Sequence, residues 1–331
     1  MDDGASLRLV HSVADEGLTM KICLFDDYKP GLVKGDAVID LSSVVGAEIM
    51  AQRPKHRMQA FIEAFGSLRA DIERADGPSF ALADVTLRAP VPRPGKILMG
   101  QGNFHEGLGL PRLPLGMFLK PSTAVLDPGG TVVFPPHDGE IVHHEAELAV
   151  VIGKEARNVS AATALDFVFG YTCILDVSLR SQTGGVSLVS KGFETFAPLG
   201  PWITTADEIP NPQKLAVKSW ENDQPRQDYN TDDMEHSVAE LIAWASAITT
   251  LEPGDVIGCG TNHQGIGPMQ DGETCTMEIE RIGRLSVKVN DPQKRRWPFQ
   301  IDPGIGVYVR DWRRNGAPGP LTNVFAQKLD R

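Results

Sequence analysis

The sequence has no long hydrophobic run. No stretch approaches the roughly 20 apolar residues of a membrane-spanning helix, and the first residues are acidic where a secretory leader would be basic and then apolar. Both absences point to a soluble cytoplasmic protein without a membrane partner. Cysteine is scarce as well. Cys23, Cys173, Cys259 and Cys275 show no CxxC spacing, and three lie in apolar stretches, so they read as reduced, buried thiols rather than a disulfide scaffold. Positive charge is short: 32 Lys and Arg against 43 Asp and Glu leave a net charge of −11, which argues against nucleic acid and anionic lipid as partners. An acidic chain that handles an anionic substrate then needs local positive charge, from a cation or a few Lys and Arg. Common catalytic motifs are missing too. Gly100-Gln101-Gly102-Asn103-Phe104-His105 opens like a dinucleotide fingerprint but has His105 where the third glycine belongs. There is no Walker A sequence, no Gly-x-Ser-x-Gly elbow and no HExxH helix, so chemistry falls to carboxylates, His, Lys and a cation.

What is present centres on Glu140 to Lys154, an apolar strand pattern carrying Glu145 and Glu147. Alternate residues of a strand share a face, which would set the two Cα atoms roughly 6.5–7 Å apart and let their carboxylates converge on one hard cation. A solvated sheet face and an Arg-paired cluster are the competing readings. The continuous apolar run Leu148 to Ile152 favours burial on both faces, where unpaired carboxylates are costly. His143 falls on the same face by parity, yet the oxygen-rich set favours Mg²⁺, Mn²⁺ or Ca²⁺ over zinc.

Along the chain, residues 1–18 are patternless and read as a disordered extension. Short β segments at 21–25, 31–33 and 37–41 follow, then a helix with Met58, Phe61, Ile62, Phe65, Leu68 and Ile72 on one face. The proline-rich Ala89 to Gly95 reads as a linker, placing a small α/β N-terminal domain at 1–90 and a larger domain at 91–331. Beyond it the pattern is mostly β, with strands expected at 132–134, 171–177, 197–204, 215–220, 256–259 and 274–280. Helices are expected at Ala161 to Val168, capped by Ser160, and at Val238 to Thr249, opened by the capping box Ser237-x-x-Glu240. The basic clusters Lys294-Arg295-Arg296-Trp297 and Trp312-Arg313-Arg314 are too short to mean more than a solvated face or an interface edge.

An ordered series of motifs carries a resemblance. Pro92-x-Pro94-Gly95-Lys96, Phe118-Leu119-Lys120-Pro121-Ser122, Glu145-Ala146-Glu147-Leu148, Gly170-Tyr171-Thr172 through Asp176-Val177-Ser178 with Arg180, Lys191, Gly200-Pro201-Trp202, Leu251-Glu252-Pro253-Gly254-Asp255 and Gly260-Thr261 together resemble the fumarylacetoacetate hydrolase family. The resemblance spans roughly residues 20–290. It implies a mixed β-sandwich roll as C-terminal catalytic domain, a homodimer, and Mg²⁺ or Mn²⁺ bound by Glu145, Glu147 and Asp176. It also implies Lys191 as stabiliser of an enolate or oxyanion, and Thr261, Arg180, Gln182 and Lys120 as substrate-facing residues.

Two departures bear on the reaction. Members that hydrolyse acylpyruvates commonly have Asn-Tyr-x-x-His followed by Glu; here Asn103-Phe104-His105-Glu106-Gly107 is compressed, and Gly260-Thr261-Asn262-His263 replaces the usual Gly-Thr-Pro. The expectation is a metal-dependent hydrolase cleaving a C–C bond in a 2,4-dioxo acid, with water activated by His105 and Glu106 or by His263. The Gly- and Pro-rich run 108–114 suits a mobile lid carrying that base. Alternatives are a decarboxylase or keto–enol isomerase of an oxaloacetate-like acid, or a catalytically silent metal-binding homologue.

Overall fold

The computed structural model describes residues 20–136, 141–180, 188–302, 304–307 and 311. The expected N-terminal extension, Gln182 and the basic cluster at 312–314 lie outside the described residues.

The architecture is mostly β, with two large sheets. The central strand Ala146–Ile152 is flanked by Val168–Leu175 on one side and Val256–Gly258 on the other, both antiparallel to it. The sheet continues through Ala197–Thr205 to Lys21–Phe25, Lys29–Lys34, Ala37–Asp40 and Ser79–Ala81. In the opposite direction it passes through Ile97–Gly100 and ends at Met117–Lys120. The ladder therefore runs straight across the boundary expected at residue 90, because Ile22 pairs with Ile203. A second, five-stranded sheet holds Gln224–Asn230, Ala216–Glu221, Thr274–Ile279, Gly283–Asn290 and Thr131–Val133.

The uninterrupted apolar run of the central strand has its cause in two cores. Leu148, Val150 and Ile152 join one core with Val217, Met277, Leu285 and Val287 of the second sheet. Ala149 and Val151 join the other, with Met58, Phe61 and Ile62 of the helix Arg57–Glu73. Period-2 side chains thus meet apolar partners on both faces, which is why no polar alternation survives there. Phe169 closes the helix side, with ring contacts to Phe61 and Phe65 at 6.4 and 4.9 Å.

Three local expectations are corrected. The stretch expected as one strand is, over the described residues 141–154, two strands, Ile141–His143 and Ala146–Ile152, with His144 and Glu145 in the break between them. The short first strand pairs with Ser178–Arg180 in a separate ribbon. The helix expected at 161–168 is only the 3₁₀ turn Ala164–Phe167, whose Thr163 makes no side-chain cap. Ser160 instead bonds Thr163 locally, which competes with helix formation. The helix Ser42–Met50, broken in its φ/ψ at Gly46, was missed because its apolar face is short. The helix Val238–Ile248 has the capping box as expected, both reciprocal bonds being present.

Gly170 is required by close packing of the sheet. A Cβ there would stand 2.3 Å from the Thr204 carbonyl oxygen and 2.6 Å from Ile203 Cγ2. Gly170→Ala should therefore cost about 1–3 kcal/mol through overpacking, read as a lower urea midpoint at unchanged slope. An unchanged midpoint would show that the two strands separate freely at this point.

Candidate active site

The break at 144–145 places the carboxylates. Ala146 pairs with Leu175 and Glu147 with Ile174, and one step beyond the ladder the Asp176 N–H donates to the Glu145 carbonyl at 2.8 Å. Asp176 thereby arrives opposite Glu145. One ligand oxygen each of Glu145, Glu147 and Asp176 lies within 4.8 Å of the others, and all three residues are buried. Gly258 leaves the space for this: a Cβ there would meet Glu147 Oε2 at 2.8 Å and Met99 Cε at 2.4 Å.

Two lysines and an arginine face the triad. The Lys191 ammonium donates to Glu145 Oε2 at 2.7 Å, Asp176 Oδ2 at 2.6 Å and Ser178 Oγ at 2.5 Å. Lys120 donates to Asp176 Oδ1 at 2.5 Å, and Arg180 donates to Glu145 and, through Nε, to His143 Nδ1 at 3.0 Å. Burial alone would raise the Glu145 carboxyl, but Lys191 and Arg180 hold it well below the usual carboxylate range. Lys191 is desolvated too, yet Asp176 and Glu145 keep its ammonium above the ordinary lysine range. Burial pulls the Lys120 ammonium down.

Glu147 behaves differently. It accepts the Gly260 N–H at 2.8 Å, but burial, with the like charges of Asp176 and Glu145, pushes its carboxyl well above the ordinary range. Such a group takes a proton or a divalent cation. The three donors are hard carboxylate oxygens, a set that suits Mg²⁺ or Mn²⁺, and Lys191 rests its ammonium on the same oxygens. The residues present therefore fit a divalent ion.

The histidine beside the triad is His263. Its Nδ1 lies 2.6 Å from Glu106 Oε1, and its backbone N–H reaches the same oxygen at 3.2 Å. It stands three residues after Gly260, whose N–H donates to Glu147 at 2.8 Å, so one loop carries both contacts. This corrects the adjacent pairing: Glu106 sits at φ 54 and turns its side chain to residue 263, while His105 points elsewhere. His105 has a 47% exposed side chain whose Nδ1 lies 3.5 Å from Glu235. The run expected to form a lid has no regular structure over 108–116, and it is tethered by Arg112 to Glu240 at 2.7 Å and by the Leu113 N–H to Glu235 at 2.8 Å.

Thr261 is buried, but its hydroxyl donates to the Ala146 carbonyl at 2.9 Å and accepts from Gln227 Nε2 at 2.7 Å. Its bonds hold the Gly260 loop against the strand that carries Glu147. Sequence reasoning missed Gln227, which also receives the Ala146 N–H at 3.0 Å and gives Nε2 to the Asn262 carbonyl at 2.6 Å. Nothing local marks it, since it stands in a polar strand whose neighbours are solvated. Ser178 was present in the motif series without a role, and it is the hydroxyl that receives Lys191.

The description "fumarylacetoacetate (FAA) hydrolase C-terminal" matches residues 104–290. The chain is 35% identical to the maleylpyruvate hydrolase of Aquipseudomonas alcaligenes, over 82% of its own length and 99% of that protein. It is 32% identical to the mitochondrial oxaloacetate tautomerase Fahd2a of Rattus norvegicus, over 77% of its length and 84% of that protein. Among solved structures, it is similar to maleylpyruvate hydrolase from Sphingobium sp. SYK-6 in complex with manganese(II) and pyruvate. There the identity is 40% and the TM-score 0.76, covering 82% of this chain and 99% of that one.

Proposed function

The chain belongs to the fumarylacetoacetate hydrolase family, and on that footing we propose that it is a divalent-metal-dependent hydrolase cleaving a carbon–carbon bond in a 2,4-dioxo acid. Glu145, Glu147 and Asp176 are the residues that would hold Mg²⁺ or Mn²⁺, and the ion would polarise the carboxylate–keto end of the substrate and lower the energy of its enolate. With Nδ1–H donated to Glu106, His263 keeps its lone pair on Nε2, the atom that takes a proton from water. Glu106 holds that tautomer and steadies the imidazolium once the proton is taken. Lys191 offers its ammonium to the negative charge that develops on the departing enolate, and Lys120 offsets Asp176. A homodimer in the cytoplasm belongs to the same reading; among the described residues no helix is long and apolar enough to cross a membrane.

The observation that carries the reading is the His263–Glu106 pair at 2.6 Å, on the loop whose Gly260 N–H donates to Glu147 of the buried carboxylate triad. Hydrolysis needs an activated water, whereas tautomerisation or decarboxylation of an oxaloacetate-like acid needs none. The tautomerase relative makes that the second reading. Incubation with acylpyruvates and with oxaloacetate in the presence of Mn²⁺ separates them, with cleavage and decarboxylation products identified by mass and keto–enol interconversion, which leaves the mass unchanged, followed by the ultraviolet absorbance of the enol. Pyruvate plus a carboxylic acid from the acylpyruvate is expected; turnover of oxaloacetate alone would overturn the hydrolase reading.

A further inference from the structure

A second cluster lies next to the first in sequence but on other partners. Its members are His144, in the break before the central strand, Glu221, at the end of Ala216–Glu221, and Cys275, in Thr274–Ile279. Glu221 and Cys275 are directly opposed in the antiparallel pairing of those strands, which sets their Cβ atoms about 4.5–5.5 Å apart on one face. One ligand atom of each residue lies within 4.8 Å of the other two, and the three are 0–1% exposed. His144 Nε2 has no hydrogen-bond partner among the described residues, and inside the cluster the Glu221 carboxyl meets only the Cys275 thiol, a weak donor. His144 Nε2 stands 4.0 Å from Glu221 Oε1, beyond hydrogen-bond range. Leaving such atoms bare in a dry interior is costly, and a bound ion removes the cost.

The donor chemistry decides which ion. We propose that His144, Glu221 and Cys275 hold a zinc ion, with a water molecule as the fourth ligand, that staples the segment carrying Glu145 to the second sheet. Sulfur, imidazole nitrogen and carboxylate oxygen suit Zn²⁺, whereas Mg²⁺ and Mn²⁺ favour the all-oxygen triad. Zinc bond lengths of about 2.0–2.3 Å imply ligand-to-ligand edges of about 3.3–3.7 Å, so the three side chains need to draw in by about an ångström. The outer contacts favour the ligating form of His144: its Nδ1 lies 3.3 Å from Gln227 Oε1, and donating that proton leaves Nε2 free to bind metal. Arg226 and Glu273 both act on the cluster electrostatically. With Glu221 and the Cys275 thiolate ionised, these charges balance a divalent ion, and loading releases the thiol proton.

Because the site is sealed, the ion enters as the chain folds, and the test uses cells grown with cobalt or zinc in the medium. The purified cobalt protein should show a thiolate-to-cobalt charge-transfer band in the near ultraviolet. X-ray absorption of the zinc protein should show a sulfur neighbour at about 2.3 Å. Cys275→Ser and Glu221→Gln should lose one equivalent of tightly held metal, Cys275→Ser the sulfur signal as well, and Cys259→Ser should keep both. Glu147→Ala should also retain the band, which separates failure here from failure of the carboxylate site. A folded wild-type protein without the band, or a band that persists in Cys275→Ser, overturns the proposal.

Discussion

Exhaustive chelation with EDTA should abolish cleavage of a 2,4-dioxo acid, and Mg²⁺ or Mn²⁺ added back alone should restore it. Glu147 is the residue on which this rests, because Lys191, Lys120 and Arg180 serve Glu145 and Asp176 while burial and two neighbouring anions drive the Glu147 carboxyl up. A divalent ion reverses that by matching the third charge. Glu147→Ala should consequently weaken Mn²⁺ binding by more than the roughly 10–100-fold typical of losing an outer partner of a metal site. Calorimetry on the variant checks it: unchanged Mn²⁺ affinity, or full turnover after chelation, would remove the carboxylate triad from the reaction.

Replacing His263 by Ala should lower hydrolytic kcat by about 10²–10⁴ while leaving KM and Mn²⁺ affinity close to wild type, since general-base help enters only in the transition state. Glu106→Gln should fall in the same direction, because Glu106 selects the tautomer that leaves Nε2 basic. The two act as one unit, so the double variant should be little worse than His263→Ala. His105→Ala should stay near wild type, its side chain being half exposed and directed to Glu235. Steady-state kinetics on the four variants settles the assignment; a large loss in His105→Ala with none in His263→Ala would return the base to residue 105.

Glu145 and Glu147 were legible because strands are local, and two carboxylates one residue apart survive as a pattern even though the strand breaks at His144 and Glu145, whereas Asp176 joined them only through the family resemblance. The base was legible only as alternatives. His105 and Glu106 are neighbours in sequence, but a left-handed φ at Glu106 separates their side chains and hands the carboxylate to a residue 157 positions later. Gln227 and Glu221 left no trace, since each depends on a sheet-to-sheet contact that local periodicity does not encode. The strand positions followed from β-branched runs bounded by Gly and Pro, whereas the turn at 164–167 had an apolar spacing without a working cap.

The seam between Lys21–Phe25 and Ala197–Thr205 bears on synthesis. Ile22 is made before its partner Ile203, with the strands that hold Glu147 and border Glu145 and Asp176 lying between them in the chain. Until then Lys21–Phe25 keeps an edge covered only at Leu24 and Phe25 by Leu87–Arg88, a template for mispairing with another nascent chain. Closure of that edge over such a sequence separation is entropically slow, so the finished sheet forms late and nearly at once.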